Sequence, residues 1–362
     1  MLESKAYFAA TTADRRLHLF DTDTSALTLA HSYTSFVDSP ILDLHVIQGK
    51  YLLAAFMSGK LLLYNTQTEE VLDERRDQKK YIVRLATWSV DGSSTIIASA
   101  GWDSKVYLYR LVIEGNHKPR LGEPIATLAL LSIPETLLFV RSPDTLLPIL
   151  LLSRRDSTFL YFYSVPSSGS GETGIELLGR QNLAPHSNAW VAFTPSDIQL
   201  SPHDDSLIAV ATSSTPHMKL LIVRLLIPPK TSLNVGMESG PDPTAVTQAS
   251  QTRANLLLQD KEEAAILINI NTMAPQTTYS TPCLAWRPDG SGVYVSSDDG
   301  IVRGFETTTG KYIATLEAHE PGSKLRCLWA GRVKTQTNET PCEEEFLLTG
   351  GFDQKLVLWR SS

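Results

Sequence analysis

Cysteine is scarce in this chain of 362 residues, which has only Cys283, Cys327 and Cys342. None forms a CxxC pair, so no structural zinc site is expected. An odd, sparse count suits a reducing compartment, and the expected location is the cytoplasm, the nucleus or both. Long apolar runs are missing as well. None reaches about 18 residues, so no membrane span is expected. The stretch from Met1 into Ala6-Tyr7-Phe8-Ala9-Ala10 has no basic segment and no long apolar core, so no signal peptide is expected. Excess positive charge is absent too. A net charge of -7 disfavours a nucleic-acid backbone as the main partner. A basic protein target or an uncharged groove fits better.

Signatures of catalysis are the last absence. There is no GxSxG, HExxH, P-loop or paired-carboxylate segment, and the histidines are scattered. One formal GxGxxG occurs, Gly169-Ser170-Gly171-Glu172-Thr173-Gly174, inside the Ser- and Gly-rich stretch Pro166–Gly174. A dinucleotide site needs that motif to open a helix in a βαβ unit, whereas strand-like segments flank it here. The reading is therefore a non-enzyme with no cofactor, no metal and no small-molecule substrate.

What is present is one phrase, repeated. In Gly350-Gly351-Phe352-Asp353-Gln354-Lys355-Leu356-Val357-Leu358-Trp359 an acidic turn leads into an alternating apolar strand, and an aromatic follows the aspartate by six residues. The same spacing joins Asp14 to Phe20, Asp103 to Tyr109, Asp156 to Phe162 and Asp299 to Phe305. Ser58 stands in the acidic place before Tyr64, and a weaker copy runs from His217 to Val223. Strand side chains alternate with period two, so each copy reads as strand, turn, strand, with Asp favoured in the turn because it hydrogen-bonds nearby backbone N–H groups. The copies at 14, 58 and 103 lie 44 and 45 residues apart. A period of about 40–45 with four short strands per unit is the signature of a propeller blade.

At these residues the chain resembles the WD40-repeat family. The last unit carries the fullest form of the motif, with His319 in the turn before the first strand, Thr349 on the second, Asp353 in the turn and Trp359 on the third. The resemblance implies that these four form a hydrogen-bonded set locking one blade. It assigns the turn aspartates Asp14, Asp103, Asp156 and Asp299 the same structural role, and it puts His31 and His186 in similar turns. Only Trp359 keeps the tryptophan, and no unit ends its third strand with a Trp-Asp pair. The implied fold is an all-β, seven-bladed WD40-type propeller. The residue before each turn aspartate would point onto a partner-receiving face: Ala13, Met57, Trp102, Arg155, Pro216, Asp298 and Phe352. Met57, Trp102, Arg155 and Phe352 belong to types enriched in interfaces, and Trp and Arg are common hot-spot residues. Tyr81 and Lys324, at the starts of inner strands, would lie near the same face. The expected function is a non-catalytic scaffold or adaptor subunit that binds other proteins. The rivals are a hydrolase-like enzyme with a polar site at the propeller channel and a stabilising regulatory subunit of an enzyme.

The chain divides into seven units of a single domain, 1–362, with 228–274 as an insertion in the fifth. Pro228 to Ser250 is read as disordered or loosely packed. Thr252 to Ile268 is read as a short helix or as part of the fifth unit's outer strand, and unit five is taken to start near Trp190. Unit one lacks an innermost strand and unit seven an outermost one, so an irregular seam is expected between them. That seam would be open or partly covered, completed by further residues, or completed by strands from a partner.

Overall fold

The computed structural model describes residues 7–22, 27–34, 36–113, 118–166, 174–229, 248–337 and 340–360. Seven antiparallel sheets succeed one another along the chain and make a seven-bladed β-propeller. Blade one holds β1 (Tyr7–Thr12), β2 (Arg16–Asp21) and β3 (Thr28–Tyr33). Blade two holds β4 (Ile41–Ile47), β5 (Tyr51–Phe56), β6 (Leu61–Asn65) and β7 (Glu70–Arg75). Blade three is β8 (Ile82–Ser89), β9 (Ser94–Gly101), β10 (Lys105–Val112) and β11 (Ala126–Ala129). Blade four is β12 (Pro134–Arg141), β13 (Pro148–Arg154), β14 (Phe159–Ser164) and β15 (Leu177–Asn182). In blade five, β16 (Pro195–Leu200), β17 (Leu207–Thr212) and β18 (His217–Arg224) precede a helix, α1 (Gln248–Ala264), and then β19 (Ile266–Pro275). Blade six is β20 (Leu284–Trp286), β21 (Gly292–Val295), β22 (Ile301–Glu306) and β23 (Tyr312–Glu317). Blade seven is β24 (Leu325–Thr337), β25 (Thr340–Gly351) and β26 (Leu356–Arg360).

Period-two alternation makes a ring out of these sheets. On β10, Tyr107, Tyr109 and Leu111 pack with Leu53 and Leu63 of blade two, while Val106 and Leu108 pack with Leu150 and Leu152 of blade four. A strand in the middle of a blade therefore feeds two cores, one on each face of its sheet. The same sharing joins every neighbouring pair, including blades six and seven and blades seven and one.

Among the described residues the seam is irregular, as expected. Blades one and seven have three strands each among the described residues, and β1 and β26 sit in separate sheets. The faces of these blades nevertheless meet. Phe8 makes edge contacts with Trp329 and Phe346, with ring centroids 5.3 and 6.0 Å apart. Val333, Leu348, Phe20, Leu27, Leu356 and Leu358 complete the cluster. Gly331 permits this packing, since a Cβ there would lie 2.4 Å from the Trp329 indole. The outer flank of blade seven is less well covered. Leu356 to Trp359 are all half-buried, whereas the matching strands β6, β10 and β14 are buried over their middles.

Several boundaries differ from the sequence reading. The fifth unit begins at Pro195, and Trp190 lies in the loop before it. The segment PSDIQL has a buried Ser196 and Asp197 and no aromatic, so it lacks the apolar alternation of a strand. The 228–274 span contains both α1 and the outer strand β19, so it is an insertion only as far as the helix. Residues 230–247 and 167–173, including most of the GxGxxG motif, lie outside the described residues. The β24–β25 hairpin pairs as far as Thr337 and Thr340. His31 lies on β3, stacked on Tyr33 at 6.1 Å, and not in a turn.

A face built from loops and turns

Within a four-stranded antiparallel blade, the loop entering the first strand and the turn joining the second to the third lie at the same end. Backbone hydrogen bonds tie the two together. Met57 N–H donates to Pro40 O at 2.9 Å, Trp102 to Tyr81 O at 2.9 Å and Arg155 to Ile133 O at 2.8 Å. Ser213 donates to Thr194 O at 2.9 Å and Phe352 to Lys324 O at 3.0 Å. These ties set the side chains of the turns on one common face. In blade five the tie is made by Ser213, not by the Pro216 that the spacing suggested.

The structure brings three of the expected binding residues together. The Tyr81 and Trp102 rings meet at a tilt of 33° with centroids 5.2 Å apart, and the Arg155 guanidinium sits 5.6 Å from the Trp102 ring centroid. Arg155 Nε is held by Glu135 Oε1 at 2.5 Å. Trp102 and Arg155 remain about two-fifths exposed, at 39% and 43%. The other three are elsewhere on the face. Lys324 pairs with Asp298 at 3.2 Å, and Phe352 lies under Arg326 at 4.8 Å. Met57 stands alone on blade two, half-exposed.

The expected lock closes in blade seven. His319 Nδ1 meets Asp353 Oδ2 at 3.0 Å, His319 Nε2 meets Thr349 Oγ1 at 2.8 Å, and Trp359 Nε1–H donates to Thr349 Oγ1 at 3.1 Å. Burial pushes the Asp353 carboxyl up, but the Glu320 N–H, His319 and the Lys355 N–H outweigh it and hold the group below its ordinary value. Blade three uses other residues in the same frame. Asp103 Oδ2 accepts the Lys79 N–H at 2.9 Å, as Asp353 Oδ2 accepts that of Glu320 at 3.0 Å. Gln78 occupies the place of His319 and donates to Ser99 O at 3.2 Å. Its Oε1 and Asp103 Oδ1 are both buried without a hydrogen-bond partner. Gly101 and Gly351 lie beneath the two sites, where an added Cβ would stand 2.9 Å from Asp103 Oδ1 and 2.8 Å from Asp353 Oδ1.

Among the described residues, the carboxylates of the remaining turn aspartates do not bond a neighbouring loop, although the Asp299 carbonyl accepts the Gly322 N–H at 2.9 Å. Asp299 bonds Ser297, the Ile301 N–H and, at 2.7 Å, Arg303, all within its own blade. Asp156 is exposed at the tip of its turn with φ +59, because the blade-four turn between the paired Ser153 and Leu160 is one residue longer than the turn between Ala100 and Val106. Asp14 bonds Thr12 and Arg16 of its own turn, and the residues just before β1 lie outside the described residues. Blade two replaces the lock with an ion pair. The buried Lys60 donates to Phe36 O at 2.8 Å and lies 3.3 Å from Asp38. His186 is exposed in the loop before β16.

Polar residues of the innermost strands were not identified from sequence. Five of these strands slip register near their start, placing Asp43, Arg84, Thr136, Asp197 and Cys327 just after the irregularity. Two of these side chains, Asp43 and Asp197, staple blade to blade, as do Ser153 and Cys283. Asp43 accepts the Leu85 N–H at 2.7 Å and Asp197 the Leu284 N–H at 2.8 Å. Ser153 donates to Pro195 O at 2.7 Å, and Cys283 Sγ to Arg326 O at 3.1 Å. Burial raises the Asp197 carboxyl, and the Arg84 charge and the Leu284 N–H act against it. Burial also raises the Cys283 thiol, to about 12. Both carboxylates are engaged by backbone, and among the described residues no cluster of His, Cys, Asp and Glu could hold a metal ion. A polar residue after the first apolar position of each inner strand is the signal that could have revealed these staples.

The large apolar side chains standing furthest into solvent were also missed. Trp190 is 98% exposed, Leu131 90% and Tyr279 86%, and all three lie in loops entering first strands, of blades five, four and six.

A family model described as a beta-propeller domain matches residues 1–360. Among solved structures, a chain from a crystal structure of the mitotic checkpoint complex is similar over 98% of this chain and 86% of that one. The identity is 12% and the TM-score 0.58, so the likeness is one of fold alone. No curated protein matches the chain.

Proposed function

The chain belongs to this β-propeller-domain family, and from that premise we propose that it is a WD40-type scaffold or adaptor subunit, non-catalytic, acting in the cytoplasm or nucleus. Other proteins would bind the face that carries Met57, Tyr81, Trp102, Arg155, Lys324 and Phe352. The observation that supports this reading is the Tyr81–Trp102–Arg155 cluster, clamped by Glu135 and still two-fifths exposed at Trp102 and Arg155. Aromatic and guanidinium groups held rigid before binding lose little entropy when a partner arrives.

Affinity purification from cells with mass spectrometry tests it. The wild-type chain should recover a stoichiometric partner that Trp102→Ala with Arg155→Ala loses. Unchanged recovery would remove this face from the account. The rival channel-enzyme reading draws on the convergence of Asp43, Arg84, Asp197 and Cys283. Metabolite turnover by the pure protein that is lost on substituting Arg84 would favour it.

A further inference from the structure

The chain as a whole is acidic, with a net charge of -7, but the surface where Tyr81, Trp102 and Arg155 meet is not. Direct contacts join this surface across three blades. The blade-two turn lies against the loop entering β8, since a Cβ on Gly59 would stand 2.8 Å from Lys80 O. In that loop the Lys79 N–H donates to Asp103 Oδ2 at 2.9 Å, and Tyr81 O accepts the Trp102 N–H at 2.9 Å. The Tyr81 and Trp102 rings and the Arg155 guanidinium carry the surface on to blade four. Lys79 and Lys80 are both exposed, and among the described residues neither ammonium has an ion-pair partner. Arg155 gives only Nε to Glu135, so among the described residues its two Nη groups, with four N–H donors, have no partner either. The neighbouring carboxylates are engaged. Glu135 holds Arg155, Asp103 accepts the Lys79 N–H and buries its other oxygen, and Asp38 pairs with Lys60 and Arg76. Asp156, exposed at the tip of its turn, is the exception.

We propose that this surface docks an acidic segment of a partner protein. An aliphatic or aromatic side chain of the segment packs on Tyr81 and Trp102, and flanking Asp or Glu carboxylates pair with Arg155 on one side and with Lys79 and Lys80 on the other. The proposal rests on the scaffold reading and assigns that scaffold its partner chemistry. Charge complementarity at contact range selects the occupant, because salt screens the distant acidic residues of the chain beyond about 8 Å. A basic segment would meet three cationic groups with free donors and one free carboxylate. The backbone also spreads the cations, with Lys79 and Lys80 between blades two and three and Arg155 on blade four. Separate carboxylates along an extended segment match that spread, whereas a single phosphoryl group engages one side only.

The full chain is used to select from a displayed library of random peptides. Enriched peptides should combine an aromatic or aliphatic residue with flanking Asp or Glu. Their affinity should fall by about tenfold or more between low and high salt, because exposed ion pairs are screened. Lys79→Ala with Lys80→Ala should weaken binding by about fivefold or more and flatten that salt dependence. Trp102→Ala should weaken it by about tenfold or more and leave the salt dependence in place. Both lysines are exposed, and alanine keeps the Lys79 N–H that Asp103 uses, so the paired variant should fold. Matched unfolding curves check this. Basic or uncharged peptides that are lost on Trp102→Ala would overturn the proposal while leaving the scaffold reading intact. Peptides indifferent to all three substitutions would overturn it and remove this face from the scaffold reading as well. No enrichment at all would overturn the proposal alone, since partner recovery from cells tests the scaffold separately. Two further results would overturn it by replacing the carboxylates: phosphoserine peptides that bind more than about tenfold tighter than their Asp forms, or a DNA duplex whose binding is lost on Lys79→Ala with Lys80→Ala.

Discussion

Blades three and seven carry the same polar frame, completed to different degrees. In blade seven His319, Thr349, Asp353 and Trp359 all find partners. In blade three Gln78 and Asp103 each keep a buried, unpartnered oxygen, and Tyr109 turns its hydroxyl to Asp77 at 3.0 Å. Their apolar parts are ordered the other way. Blade three has four strands with buried middles on β9 and β10; blade seven has three among the described residues, with β26 half-buried. The full lock stands where the described sheet has three strands, and the imperfect one is tolerated where neighbours cover the strands. Burial and polar pairing compensate for each other within one fold.

The widest separation of the two blades should come from core truncation. Ile97→Ala, at a fully buried site in blade three, should cost about 3 kcal/mol. Leu358→Ala, half-buried in blade seven, should cost about 1 kcal/mol. Denaturant midpoints at unchanged slope give both values, and equal losses would mean that the seam is packed as tightly as the rest of the ring.

Breaking the locks should reverse the order. Asp353→Ala strands a buried His319 and should cost about 2 kcal/mol, against about 1 kcal/mol or less for Asp103→Ala, whose carboxylate already has an idle oxygen. The Asp353 contribution is also pH-dependent. Its carboxyl is held below the ordinary 3.8, so its stabilisation is present in full above that value and is lost as pH falls through the lowered native value. Urea unfolding of wild type and Asp353→Ala should therefore converge in acid, and a constant difference there would refute the assignment.

The smallest expected effect is a gain. Gln78→His should give blade three a ring nitrogen facing Asp103 Oδ1 and a second one toward Ser99, raising stability by up to about 1 kcal/mol. A melting temperature that is unchanged or lowered would show that the glutamine frame is already optimal.

Much of this architecture was legible in the chain. The six-residue step from turn to aromatic marked strand, turn and strand because backbone alternation and Asp turn chemistry are local. The three-stranded sheets described at both ends of the ring could be counted for the same reason. Less legible was which turn aspartate reaches a neighbour. Asp156 and Asp353 share one spacing, yet a single extra turn residue carries Asp156 into solvent. The inner strand at Pro195 was hidden by its buried Ser196 and Asp197, polar residues whose use appears only when blade six supplies the Leu284 N–H.

The repeated spacing determined, with no knowledge of contacts, that seven small sheets would form and where most of their strands would lie. Tertiary structure alone decided how the blades pack at the seam and which polar side chains bridge blades. The reason is distance along the chain. Strand and turn preferences act over a few residues, whereas inter-blade staples and a common face join residues many tens of positions apart, which only the closed ring brings together.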